Sequence, residues 1–286
     1  MSRRGYIGVA LIAAIVAFCL LGPLIHPTDQ IHGNIAITNL PPGAAHPLGT
    51  DANGFDILGR LMAGGRFSLE IAAAVAVLAT SLGAFAGALA GLTGGFLDAL
   101  IMRTVDTVLA LPAIFILIYL ATIVTPTVPL LIVVISLLSW LAPARLVRAE
   151  TLTLRSRDFV LAAQAMGAGR RHTIVRHILP GTAGTLIVNA TFQVADAIIL
   201  LATLSFLGFG LPPPAATWGG MLSQGTTYLL DGYWWEVYPV GALIVATVIA
   251  FNLLGEALAE TLNRGPDARW SPMARIRRLA LRTPWR

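Results

Sequence analysis

Lysine is missing altogether, a single cysteine is present, and only 12% of the residues are charged. A phosphate-binding loop needs Gly-Lys-Ser/Thr and a pyridoxal enzyme needs a lysine amine, so a chain without lysine does not hydrolyse ATP by that route and does not hold that cofactor. Cys19 has no partner for an intramolecular disulfide and lies in an apolar run, where a small packing residue is expected. His26, His32 and His46 share one polar stretch, but their spacing fits no standard metal site, and they read as polar loop residues. With no His-x-x-x-His pair and no Ser-centred elbow, no catalytic constellation, metal or resident cofactor is expected.

What fills the space is hydrocarbon. Hydrophobic residues make up 56% of the chain, which excludes an ordinary soluble domain and predicts an all-α integral membrane protein. About six spans are expected: Tyr6 to Ile25, Leu69 to Leu92, Thr104 to Val124, Val128 to about Val147, Thr185 to Phe209, and Tyr238 to Leu258. Pro143 and Arg145 are candidates to end the fourth early. The first resembles a signal peptide in its Arg3-Arg4 start, but Leu24-Ile25-His26 offers no small-residue cleavage site, so it reads as an anchor. The chain then divides into an anchor helix with an external loop (1–66), a core of five spans (67–263) carrying a polar loop at about 148–182, and a basic tail (264–286).

Arginine supplies the orientation. Two arginines precede the first span, Arg103 lies between the second and third, seven run from Arg145 to Arg176 and seven from Arg264 to Arg286, leaving only Arg60 and Arg66 for the other face. By the positive-inside rule both termini and the 148–182 loop are cytoplasmic. The stretch Gly210 to Val237 has no basic residue and reads as an external loop, with Tyr233, Trp234, Trp235 and Tyr238 as an aromatic belt at the bilayer edge. The tail's charge suits anionic lipid headgroups far better than nucleic acid.

Within the arginine-rich loop, a short helix from about Asp158 would place Phe159, Ala162, Ala163 and Met166 on one face as an apolar knob. Gly167 permits a sharp change of direction, and Pro180 is expected to stop a helix running in from His172. The knob reads either as a docking element or as an amphipathic helix lying on the membrane. Ala162-Ala163, Gly167 and, nine residues on, His177-Ile178-Leu179-Pro180 resemble the cytoplasmic loop of bacterial ABC importer permeases. That pattern is Glu-Ala-Ala, three residues, Gly, nine residues, Ile, one residue, Leu-Pro; here Leu161 replaces Glu and His177 replaces Ile.

Two further segments are similar to the C-type permeases of the dipeptide, oligopeptide and nickel branch. One is His46-Pro47-Leu48-Gly49-Thr50-Asp51 continuing to Ser68-Leu69; the other is Leu204 to Gly210 with Pro212-Pro213 and Trp218-Gly219. The resemblance implies a type I importer permease fold in the bacterial inner membrane, with a coupling loop in which Phe159, Ala162, Ala163, Met166, Gly167, Ala168, Leu179 and Pro180 meet an ATPase. It also implies a homologous B-type permease partner, two cytoplasmic ATPase domains that bind ATP and magnesium, and an external binding protein. Peptides are the usual cargo, with nickel and haem systems in the same branch.

In the fifth span Asn189, Gln193, Asp196 and Thr203 recur at steps that align them on one helix face, a candidate lining of the translocation pathway or a set of interhelical hydrogen bonds. In a self-contained secondary transporter, the less favoured alternative, Asp196 and Glu256 would carry a coupling ion. Gly83, Gly87 and Gly91, extended by Ala79, form a groove for close approach of a helix from this chain or a partner, and Pro112 is expected to kink the third span.

Overall fold

The computed structural model describes residues 2–123 and 125–263; the basic tail expected at 264–286 lies outside the described residues. Among those described, the chain is helical, with one isolated antiparallel bridge between Thr50 and Asp56. By length and composition 4 helices can cross a membrane, and up to 6 spans result if each of two bent helix pairs counts as one.

The central element is α2 (Ile57–Thr93), which starts where Asp56 Oδ1 accepts the Gly59 N–H at 2.8 Å and ends at Gly94, whose φ of 63° suits glycine. Its 37 residues extend about 55 Å, against about 30 Å of hydrocarbon. The three turns ahead of the expected start at Leu69 therefore form an external platform. At its other end Gly83, Gly87 and Gly91 open the groove seen in the sequence, and α6 (Leu141–Leu154) fills it. A Cβ on Gly91 would sit 2.7 Å from Thr151 Cβ, and one on Gly83 2.7 Å from the Trp140 carbonyl. The groove thus serves packing within this chain. On the opposite flank α1 (Arg3–Ile25) lies on α11 (Tyr238–Asn263), with Gly8 against the backbone of Ala250 and Leu254. Buried Cys19 packs beside Gly65 and Trp218, as a small packing residue should.

Three expected spans are corrected. The third is not one kinked helix: α3 (Gly95–Leu109) and α4 (Ala113–Ile123) meet at 84°. Continuing α3 would put the Pro112 ring against the Val108 carbonyl, which instead accepts the Leu111 N–H at 3.1 Å and closes a tight turn. The fourth neither ends at Pro143 nor stays straight. From α5 (Val128–Ser139) it bends by 43° into α6, which runs past Arg145 to Leu154. Pro143 falls in the first turn of α6, where its missing N–H is tolerated, while Arg148 forms a two-pronged pair with Asp98 (2.5 and 2.7 Å) and Arg145 meets Asp106 at 2.5 Å.

The fifth begins earlier than Thr185, because Pro180 does not stop the helix entering it. After α8 (Arg170–Thr173), the π-helical turn Ile174–Ile178 leads directly into α9 (Leu179–Leu204). The Leu179 N–H reaches back five residues to the Ile174 carbonyl, and the widened turn places Pro180 at the start of a new register. The external loop also holds a helix the sequence reading passed over, α10 (Trp218–Tyr228). Its Trp218 is fully buried and donates Nε1–H to the Leu61 carbonyl at 3.1 Å. Trp235 leaves the expected aromatic belt and turns inward, 8% exposed, with Nε1 3.4 Å from the Thr50 carbonyl; Trp234 and Tyr238 remain exposed and stacked.

Candidate functional site

The polar loop folds into α7 (Asp158–Ala165), eight residues closed by a glycine cap. The Ala168 N–H bonds back to the Ala163 carbonyl at 3.0 Å while Gly167 takes φ 88°, the pairing that ends a helix and reverses the chain. Space around Gly167 is open, so backbone conformation and not crowding demands glycine there.

The knob differs from the expected face in one member. Ala163 is 7% exposed and turns inward with fully buried Val160, whereas Phe159, Leu161, Ala162 and Met166 point outward, Met166 at 84% exposure. A helix apolar on both its inner and outer sides requires cover. Around it Arg155, Arg157, Arg171 and Arg176 are exposed, with Asp158 as the acidic residue on α7 itself. The His177 ring lies 6.0 Å from Phe159 and 5.8 Å from His172, closing the base of the knob.

This knob is tied to the membrane helices. Ile174 and Ile178, nearly or fully buried, join Ala84, Ala88 and Val147 in one apolar cluster, bringing the π-helical turn against α2 and α6. Arg155 donates to the Gly91 carbonyl at 3.0 Å, and Thr185 of α9 donates to Glu150 of α6. Leu179 is half-buried within this joint, while Pro180 is exposed. Arginines that the sequence reading used for orientation, Arg145, Arg148 and Arg155, therefore also anchor the loop's root.

The polar face of α9 divides. Gln193, Ala197, Leu201 and Leu204 form its buried side. Gln193 Nε2 donates to the Ser139 carbonyl at 2.7 Å. That carbonyl is the one Pro143, lacking an N–H, leaves without its helical donor, so Gln193 completes the bend between α5 and α6. Asn189 is half-buried, its Oδ1 without a partner among the described residues, Asp196 is exposed, and exposed Thr203 bonds its own backbone at Ile199. The stripe borders the buried side, and only its Gln193 edge reaches inside. Glu256, which the alternative reading pairs with Asp196, is instead 4.0 Å from Arg4, both exposed.

On the external side a cleft of about 1100 Å³ opens between the loop before α2 and the proline-rich segment before α10. Arg60 holds its wall: it donates to the Pro214 carbonyl at 2.8 Å, pairs with Asp51 at 3.6 Å and covers the Phe55 ring at 3.7 Å. Asp56 caps α2 and also receives His46 at 2.8 Å, with His26 at 3.3 Å, while His32 pairs with Asp29. Two backbone N–H groups and the His32 side chain hold the exposed Asp29 carboxyl down at about 2. Sequence reasoning missed this network because its members lie as far apart as Thr50 and Trp235; the one local signal was an acid, Glu236, set among aromatic residues.

Residues 83–267 match the family described as binding-protein-dependent transport system inner membrane component. A protein assigned as a peptide permease in Brucella suis biovar 1 (strain 1330) is 41% identical over 264 residues, covering 92% of this chain and 87% of that one. The dipeptide transport system permease protein DppC of Bacillus subtilis (strain 168) is 33% identical over 262 residues, covering 92% and 82%. Helical architecture, cytoplasmic-loop motif and near end-to-end similarity converge: the chain belongs to the binding-protein-dependent transport system inner membrane components, as a multi-pass, non-catalytic permease subunit of an ABC importer.

Proposed function

We propose that this chain forms half of the translocation pathway of an ATP-driven importer of dipeptides or oligopeptides, the cargo class carried in the names of its relatives. A homologous permease supplies the other half, two cytoplasmic domains bind ATP with magnesium and hydrolyse it, and an external binding protein delivers substrate. The observation that carries the reading is the outward apolar side of α7, held out by the cap at Gly167.

Phe159, Ala162 and Met166 enter a cleft on the ATPase, with Gly167 and Ala168 setting the knob's angle and Ala163 bracing it from within. Closure of the ATPase pair displaces α7, and the joint at Ile174, Ile178, Leu179 and Pro180 carries the motion into α6 and α9. Asp196 and Thr203 face the pathway. Asn189 lies along the same stripe, and Gln193 sets the bend beside it.

The test is Gly167→Val in the assembled transporter. A β-branched residue at φ 88° costs at least about 1–2 kcal/mol in the capped form, enough to lower the docked population roughly tenfold. Substrate-stimulated ATP hydrolysis and uptake in proteoliposomes should fall together while the permease pair still assembles. Undiminished transport by a normally assembled variant removes the docking role from α7.

A further inference from the structure

Glu236 lies in the turn Trp234–Glu236 that precedes α11, at the external end of the last candidate span (Trp234–Leu262), and is only 4% exposed. Among the described residues its Oε1 meets no hydrogen-bond partner. It lines a small cavity with Asp51, Ile57, Met221 and Gln224, and Met221 and Gln224 also line the large external cleft. The cavity therefore sits directly behind the cleft wall. From the rear α10 presses on Glu236 without space to yield, since a Cβ on Gly225 would lie 2.9 Å from both its Cβ and its carbonyl oxygen.

The charges around this cavity do not balance. The loop before α2 brings Asp51; α2 brings Arg60, with Asp56 at its cap engaged by His26 and His46; α10 brings neutral Gln224 and Met221; the turn itself contributes the Tyr233 carbonyl, which accepts the Glu236 N–H. Arg60 is directed to Asp51, Pro214 and Phe55, and among the described residues no basic side chain forms an ion pair with Glu236. Arg60 thus serves Asp51, and Glu236 adds a second carboxyl to a site walled in part by Ile57 and Met221. A second bare carboxylate there would be costly, so the site takes one further positive charge.

We propose that Glu236 is a proton-binding site which locks the external face of this permease: protonated, it holds the seam between the Asp51 loop and α10 closed, and ionised, it is repelled by Asp51 and loosens the cleft wall. The cavity favours a proton over a metal ion, because at about 10 Å³ it has no room for an ion with its coordinating waters. A folded chain that keeps Glu236 protonated binds one proton more than the unfolded chain, whose glutamates ionise in water at about pH 4.3. The stability this contributes is complete in acid and is lost as pH rises until the buried carboxyl ionises.

Melting of the purified complete complex, measured from about pH 5 to about pH 8 in sodium and in choline buffers, tests the assignment. The wild type should lose on the order of a few degrees as pH rises across that range, Glu236→Gln should lose none of this, and Asp51→Asn should move the fall to lower pH. If Glu236→Gln does not assemble, the displaced profile of Asp51→Asn decides. An unchanged fall in Glu236→Gln would place the titration elsewhere and overturn the proposal. Sodium-specific stabilisation of the wild type that Glu236→Gln abolishes would overturn it equally, as a metal-ion site. These readouts involve no cargo or ATPase docking, so failure here is distinguishable from failure of the transport reading.

Discussion

At the residue scale, Gln193 and Asp196 are three positions apart on α9, yet their surroundings give them different work. Gln193 saturates a carbonyl that a proline leaves bare, and Gln193→Leu should lower the stability of the assembled complex by on the order of 1–2 kcal/mol, measured as a loss in melting temperature. Asp196 is exposed and, among the described residues, forms no ion pair. Asp196→Asn should assemble normally and alter uptake in a way that depends on substrate charge, while Asp196→Leu should impair uptake with little loss of stability. Unaltered transport in both Asp196 variants would sink the pathway role. Periodicity placed both residues on one face, but it could not show which edge of that face meets the bend between α5 and α6. That distinction depends on the missing N–H of Pro143, fifty residues away in sequence.

At the scale of elements, the sequence was most legible where one helix carries the whole signal. The Gly83, Gly87, Gly91 row announces a close crossing, and α6 supplies it through Trp140, Ala144, Arg148 and Thr151. Signals that punctuate helices were less reliable. Pro112 breaks its span into two helices, Pro143 bends one just upstream of its ring, and Pro180 is absorbed by a π-helical turn, so the same residue type has three outcomes set by the packing around it. Ala163 shares its expected face with Phe159, Ala162 and Met166, but α7 also carries Val160 and Leu161 beside them, and periodicity does not fix which apolar residue turns inward. The groove allows a direct check. Gly87→Leu drives a side chain into the Ala144–Arg148 backbone and should destabilise the chain by about 1–3 kcal/mol or abolish assembly, read from complex yield and melting. Wild-type yield and melting would mean that α2 and α6 do not cross this closely.

At the scale of the whole molecule, the arrangement has two ends with opposite character. The end carrying α7 is collared by exposed arginines; the other carries the Asp29, Asp51, Asp56 and Glu236 groups, the proline-rich segment and α10. The positive-inside rule puts the first end in the cytoplasm, where an ATPase can reach it, and the second outside, where a binding protein can. Leu230 at 98% exposure and Met166 at 84% give each end an accessible reporter position. Cys19 is buried beside Gly65 and Trp218, so Cys19→Ala should give a silent background with a small packing loss of about 1 kcal/mol. In intact cells of that background, Leu230→Cys should react with a membrane-impermeant maleimide, and Met166→Cys should react only after permeabilisation. Met166→Cys should also lose its reactivity when the ATPase partners are present, because docking covers the knob. Labelling of Met166→Cys from outside would invert the topology and, with it, the assignment of α7 to ATPase coupling.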